Sequence, residues 1–80
     1  MMSRSKLQWR CRRGMLELDL LLEGFLMREF EQLLASERSA FEQLLTYSDQ
    51  LLLEYLLGRE RPVDEKLAHV VGKIRAAAQA

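Results

Sequence analysis

The stretch from residue 15 to residue 33 constrains the fold most, because its apolar side chains recur at helical spacing. At about 100° per residue they cover one broad arc of a helix. The arc contains Met15, Leu18, Leu22, Phe25, Leu26 and Leu33, and it is widened by Leu16, Met27, Phe30 and Leu34. Glu17, Gly24, Arg28 and Glu31 form a narrow polar stripe. We expect a helix this apolar to lie at the centre of the molecule, packed on most sides.

Four other segments also show helical patterns, at residues 4–12, 37–47, 49–57 and from Pro62 to about residue 75. Ser3 or Ser5 is expected to cap the helix at residues 4–12, and Ser48 or Asp49 the helix at residues 49–57. Gly58 is expected to end the helix at residues 49–57, and residues 76–80 are expected to fray. The sequence therefore predicts an all-α fold, a small single-domain five-helix bundle spanning residues 1–80 with its core at about 7–75.

Composition narrows the class of protein. The chain has 80 residues, of which 49% are hydrophobic and 30% charged, which argues against disorder and leaves little room for an internal substrate cavity. No apolar run is long enough to span a bilayer. The single cysteine, Cys11, cannot form an intramolecular disulfide and fits a reducing compartment. His69 has no metal-ligating neighbour at a usable spacing, so we expect an ordinary surface or half-buried histidine and no metal site.

Charge is distributed unevenly although the formal net charge is zero. Five basic residues precede the first acidic residue, Glu17: Arg4, Lys6, Arg10, Arg12 and Arg13. This layout favours an acidic partner surface over nucleic acid, because no recognition helix with interleaved aromatic residues accompanies the arginines. An enzymatic function is favoured even less than nucleic-acid binding, since the sequence shows no pair of titratable groups arranged for acid–base or covalent catalysis.

The segment from Arg12 to Asp19 combines paired arginines, a glycine and a glutamate at the start of the long helix. Glycine lets a partner approach closely, and arginine offers a planar set of donors for carboxylate or phosphate. We expect the Arg13 and Glu17 side chains to point outward, so that this corner is a docking surface. A plain helix start with a solvated charge pair is the alternative.

Two residues near the corner are expected to hold it against the body. Asp19 falls on the apolar arc of the long helix, so its carboxylate requires a partner, either an N-terminal arginine or the Trp9 indole. Leu7 and Cys11 share a face of the first helix. Trp9 lies off that face but is large enough to anchor the segment.

With the helices placed, residues 9–19 resemble the signature of the succinate dehydrogenase assembly factor family, also called flavinators. The Arg-Gly-x-x-Glu hallmark of that family is matched by Arg13, Gly14 and Glu17. Weaker matches extend the resemblance over about residues 7–75. They are Phe41, Leu44, Leu45, Asp49, Leu56, Pro62, Asp64, Leu67, Val71 and Ile74.

The resemblance implies a bacterial, cytoplasmic chaperone that binds the flavoprotein subunit of succinate dehydrogenase, and in some organisms that of fumarate reductase. It implies that the chain promotes covalent attachment of FAD to a histidine of this client, without being an enzyme or holding a cofactor of its own. The implied partner-binding residues are Trp9, Arg10, Arg12, Arg13, Gly14 and Glu17.

An antitoxin-like regulatory partner of a small membrane toxin is the alternative within this resemblance. We expect a monomer that neither binds nucleic acid nor inserts into a membrane. The surplus apolar residues Leu51 and Leu53 leave a dimer open.

Overall fold

The computed structural model describes residues 3–79 and folds them into five α-helices. Helix α1 spans Arg4–Arg10, α2 spans Leu16–Glu29, α3 spans Ala35–Leu44, α4 spans Asp49–Leu56 and α5 spans Glu65–Gln79. A short 3-10 turn, Phe30–Gln32, follows α2. No strand occurs between residues 3 and 79. The predicted all-α class is confirmed.

Local capping chemistry sets several of the helix ends. The Ser3 side chain accepts a hydrogen bond from the Lys6 amide, and the Ser48 side chain accepts one from the Leu51 amide. Both predicted caps are therefore present, each satisfying one of the unpaired amides of a first turn. Gly58 follows α4 with φ +79°, a conformation that glycine adopts without strain.

The last helix differs from its prediction at both ends. It begins at Glu65 rather than at Pro62, because the Asp64 carboxylate accepts hydrogen bonds from the amides of Lys66 and Leu67 at 2.8 and 3.3 Å. Pro62 is buried ahead of this cap. The predicted fraying is wrong as far as Gln79: the chain is helical to that residue, and Ala77 packs against the core.

The core contains most of the apolar residues that the helical spacing predicted, although Met15 and Leu34 are exposed. Leu22 and Phe25 of α2 have 0% and 1% of their surface exposed, and α5 packs against α2, α3 and α4. The ring of Phe41 on α3 lies 5.5 Å from that of Phe25 and 6.0 Å from that of Phe30. Such separations are typical of favourable aromatic pairs, so this cluster joins α3 to α2.

The long helix is not enclosed on most sides, contrary to the prediction. Leu16, Leu20 and Met27 are 75%, 63% and 69% exposed. A bundle of this size buries only about 60% of its surface, so each helix keeps a face in solvent. On α2 that face carries three large apolar side chains. None of the helices between residues 3 and 79 has the length and apolar character required to cross a membrane.

Candidate functional site

The turn between α1 and α2 has Gly14 at its apex. Gly14 has φ +82°, which costs an L-residue with a side chain about 1 kcal/mol or more. A Cβ placed there would meet no atom within 4 Å. The glycine is therefore required by backbone conformation and not by crowding. The space above it is open, so another molecule could approach the main chain at this point.

Asp19 fixes the shape of this turn. Its carboxylate accepts hydrogen bonds from the backbone amides of Arg13 at 2.7 Å and Gly14 at 3.3 Å. Asp19 is partly buried, as predicted, and its partners are N-terminal. The donors are main-chain amides rather than an arginine side chain or the Trp9 indole. The carboxylate thus ties the first turn of α2, which has no side-chain cap at Met15, to the two residues at the apex of the turn before it.

Arg13 turns inward, and the prediction that it points outward is wrong. Its side chain is 15% exposed, and its Nε donates to Asp49 Oδ1 at 2.7 Å. Nη1 donates to the carbonyl oxygens of Leu45 at 2.8 Å and Arg10 at 3.2 Å. Nη2 donates to the Tyr47 carbonyl oxygen. One guanidinium therefore ties the turn to the end of α3 and the start of α4.

This inward position has a simple electrostatic cause. The last carbonyl groups of a helix lack partners within the helix and carry partial negative charge. Leu45, the C-cap residue of α3, supplies such a carbonyl. Tyr47 adds a carbonyl from the α3–α4 connection, and Asp49 adds a full charge at the start of α4. The five N–H donors of an arginine suit this cluster of acceptors better than a single ammonium group would.

The outer side of the turn carries exposed residues. Glu17 is exposed, as predicted, and Arg10 is exposed on α1. The Arg12 side chain is 65% exposed, with its Nε 3.6 Å from Glu23. Trp9 is 72% exposed, so it does not anchor α1 to the body. Leu7 and Cys11, both fully buried, perform that function from the opposite face of α1.

We call Arg13 and its acceptors on Leu45, Tyr47 and Asp49 the Arg13 cluster. A shallow cleft lies between this cluster and the exposed residues of α1. It is lined by Lys6, Trp9, Arg10, Arg12, Arg13 and Asp49. Cys11 lies nearby, but burial raises the pKa of its thiol to about 12, with Glu23 adding to the effect. A thiol with so high a pKa is a poor nucleophile. Of the six predicted site residues, Trp9, Arg10, Arg12 and Arg13 line the cleft and Gly14 is exposed at the apex of the turn. Glu17 is exposed as well but borders a separate depression with Leu20 and Arg28.

A second polar cluster was missed in the sequence. Glu37 of α3 is 7% exposed, and its carboxylate accepts a hydrogen bond from the Leu34 amide at 2.8 Å. The same carboxylate lies 2.8 Å from His69 Nε2 and 2.9 Å from Lys73 Nζ, both on α5. The Leu34 amide, then Lys73 and His69, lower the pKa of Glu37 to about 2.

The His69 and Lys73 spacing on one face of α5 was the available signal for this cluster. The sequence could not show that α3 lies opposite them. Residues 3–79 contain no group of three metal-ligating side chains. The His69 ring is hydrogen-bonded to Glu37, and its side chain is 58% exposed.

Comparison with known proteins decides the family. Residues 5–78 match the family described as the flavinator of succinate dehydrogenase. The chain belongs to this family. The flavinator hallmark is thus divided between an inward arginine, an open glycine and an outward glutamate.

Individual relatives of this family align with the chain over most of their length. The FAD assembly factor SdhE of Legionella pneumophila (strain Paris) is 46% identical over 90% of this chain and 90% of its own. That of Coxiella burnetii is 44% identical over 88% of this chain and 85% of its own. The FAD assembly factor SdhE of Methylococcus capsulatus is 43% identical over 95% of this chain and 92% of its own.

Proposed function

We propose that this chain docks on the flavoprotein subunit of succinate dehydrogenase and promotes covalent attachment of FAD to it. The observation that carries the proposal is the open main chain at Gly14, beside the exposed Glu17, on a turn fixed from behind. A rigid and open corner is what close contact between two main chains requires. Family membership supplies the identity of the client.

The residues of the corner have different roles in this proposal. Trp9, Arg10, Arg12 and Glu17 contact the client, while Gly14 admits its main chain. Arg13 acts as a positioning residue, because its donors are already used within the chain. Desolvated, charge-assisted hydrogen bonds from Glu17 and Arg12 would contribute far more at an interface than on a free surface.

The chemistry of flavin attachment is left to the client and the FAD. The high pKa of Cys11 supports a non-catalytic role, as does the use of Asp19 and Asp49 as hydrogen-bond acceptors for the turn. The chain would hold the client in a competent arrangement, as a one-to-one complex in the cytoplasm and without a cofactor of its own. The flavoprotein of fumarate reductase is a second client by the same argument.

The Glu17→Ala variant tests this proposal. Glu17 is exposed, so the substitution should change stability by less than about 0.5 kcal/mol. Covalent flavinylation of the client should nevertheless fail. The measurement is in-gel flavin fluorescence of the client, expressed in cells lacking their own factor, because only covalent flavin survives denaturation.

The matched control is Glu60→Ala, which removes an exposed carboxylate on the α4–α5 connection. This variant should flavinylate the client normally. Normal flavinylation by folded Glu17→Ala would remove Glu17 from the docking surface. No flavinylation by the wild-type chain on either client would reject the proposed function and favour the antitoxin-like role.

A further inference from the structure

The solvent face of α2 carries an apolar stripe that the docking corner does not use. Its members are Leu16, Leu20 and Met27, each 63–75% exposed. At about 100° per residue they lie within about 40° of one another around the helix axis. The stripe extends about 16 Å along the helix, well beyond the Gly14 turn. Clustered exposed apolar side chains of this size mark an interaction surface.

Charges of opposite sign flank one edge of the stripe. Glu17 and Arg28 lie within about 20° of each other around the axis and about three turns apart. Both are exposed, and neither forms an ion pair with a residue between 3 and 79. The edge is therefore negative at its N-terminal end and positive at its C-terminal end.

The other edge is already neutralised. Glu23 lies there with Arg12 Nε 3.6 Å away. Beside the Glu17–Arg28 edge, α5 contributes the buried Ile74 and the small side chains of Ala77 and Ala78. Lys73 of α5 lies near Arg28, but its ammonium group is paired with Glu37. A second helix could therefore approach α2 without meeting an unpaired like charge.

We propose that the occupant of this stripe is a second copy of the chain, with the two α2 helices packed antiparallel about a two-fold axis. Such an axis places the same edge of each helix side by side and reverses their directions. Glu17 of each copy then faces Arg28 of the other, and Leu20 of each faces Met27. The charge pattern is thus self-complementary in the antiparallel direction. A parallel two-fold would instead place the Glu17–Arg28 edge beside the partner's other edge, where Glu23 is already paired with Arg12.

The pairing should be weak and reversible. The stripe is short, so the interface falls at the low end of interface sizes, below roughly 1,200 Å². Glu17 belongs to both the stripe edge and the docking corner, so a paired copy cannot present it to a client. This last consequence rests on the proposed function, but the pairing itself does not.

Charge exchange at residues 17 and 28 provides the test, read by sedimentation equilibrium over a dilution series. Wild type should form a dimer that dissociates on dilution. Glu17→Arg alone and Arg28→Glu alone should each be monomeric, because each opposes like charges. An equimolar mixture of the two variants should restore the dimer, and so should the double variant. Circular dichroism checks that all variants are folded.

The apolar contribution is tested with Leu20→Ser and its matched control Leu34→Ser, since Leu34 is 69% exposed but lies outside α2. Only Leu20→Ser should abolish the dimer. A wild-type chain that is monomeric at every concentration overturns the proposal. A dimer that persists in Glu17→Arg alone and also in Arg28→Glu alone overturns the proposal as well. Failure of the chain to flavinylate a client would reject the proposed function and leave the sedimentation result unaffected.

Discussion

Two polar clusters connect distant helices in this chain, and they differ in what lies outside them. The Arg13 cluster joins the α1–α2 turn to the α3–α4 connection, and it supports an open glycine and an exposed glutamate. The Glu37 cluster joins the first turn of α3 to α5 through His69 and Lys73. Both clusters contain a partly buried ion pair, so the ion pair alone does not distinguish them. The open main chain at Gly14 and the exposed Glu17 do.

The largest expected effect comes from removing the Arg13 guanidinium. Arg13→Ala leaves the Leu45 and Tyr47 carbonyls and the Asp49 carboxylate without their donor. We expect a loss of about 2–4 kcal/mol in the free energy of unfolding, measured in denaturant. Arg13→Lys should recover only part of it, since one ammonium cannot replace the planar set of donors. A loss below about 0.5 kcal/mol for Arg13→Ala would show that the cluster is not stabilising.

The contribution of the Glu37 cluster to the stability of the fold should depend on pH in the acidic range. The folded-state pKa of Glu37 is lowered from 4.5 to about 2, so its stabilisation is fully present above pH 4.5 and is lost as the pH falls toward 2. Glu37→Gln keeps the shape of the side chain but does not titrate. The melting temperature of wild type should therefore fall more steeply over this range than that of Glu37→Gln. Parallel curves would contradict the assignment.

These two clusters also show which features of the structure could not be predicted from the sequence. Helical spacing identified Leu22 and Phe25 as core, and the position of Asp19 on the apolar arc indicated that its carboxylate needs a partner. Spacing within one helix is a local property. Apart from Arg10, the side-chain partners of Arg13 lie more than thirty residues away in the sequence. His69 and Lys73 are separated from Glu37 by similar numbers of residues. Their meeting depends on how the helices pack, which periodicity does not encode.

The outer face of α2 was misjudged for a related reason. An apolar side chain contributes equally to a helical pattern whether its face meets the core or the solvent. Leu16 and Met27 therefore looked like core residues. Only the arrangement of the other helices shows that nothing between residues 3 and 79 covers them. Exposure of this kind separates interaction surface from core, and it is read from the packed structure.

A smaller effect is expected at Asp19, which holds the turn from the α2 side. Asp19→Ala leaves the Arg13 and Gly14 amides without their acceptor and should cost about 1–3 kcal/mol in denaturant unfolding. Hydrogen exchange should show the same two amides losing protection. Unchanged exchange at Arg13 and Gly14 would mean that the turn is held by other contacts.

The smallest effect on stability, about 1 kcal/mol, is expected for Gly14→Ala. The cause is the positive φ, because a Cβ at this position meets no atom within 4 Å. Gly14→Asn should cost less, since asparagine tolerates the left-handed region better than alanine does. Its larger side chain would nevertheless occupy more of the open space above the turn.

Comparing these two variants separates backbone strain from surface obstruction. If Gly14 serves to admit the main chain of a client, the more stable Gly14→Asn should flavinylate the client no better than Gly14→Ala. Both would be assayed by in-gel flavin fluorescence at a temperature where denaturation curves show them folded. If flavinylation instead follows stability, with Asn above Ala, Gly14 matters through its conformation alone. The open space above it would then not be part of the docking surface, and the contrast with the Glu37 cluster would rest on Glu17.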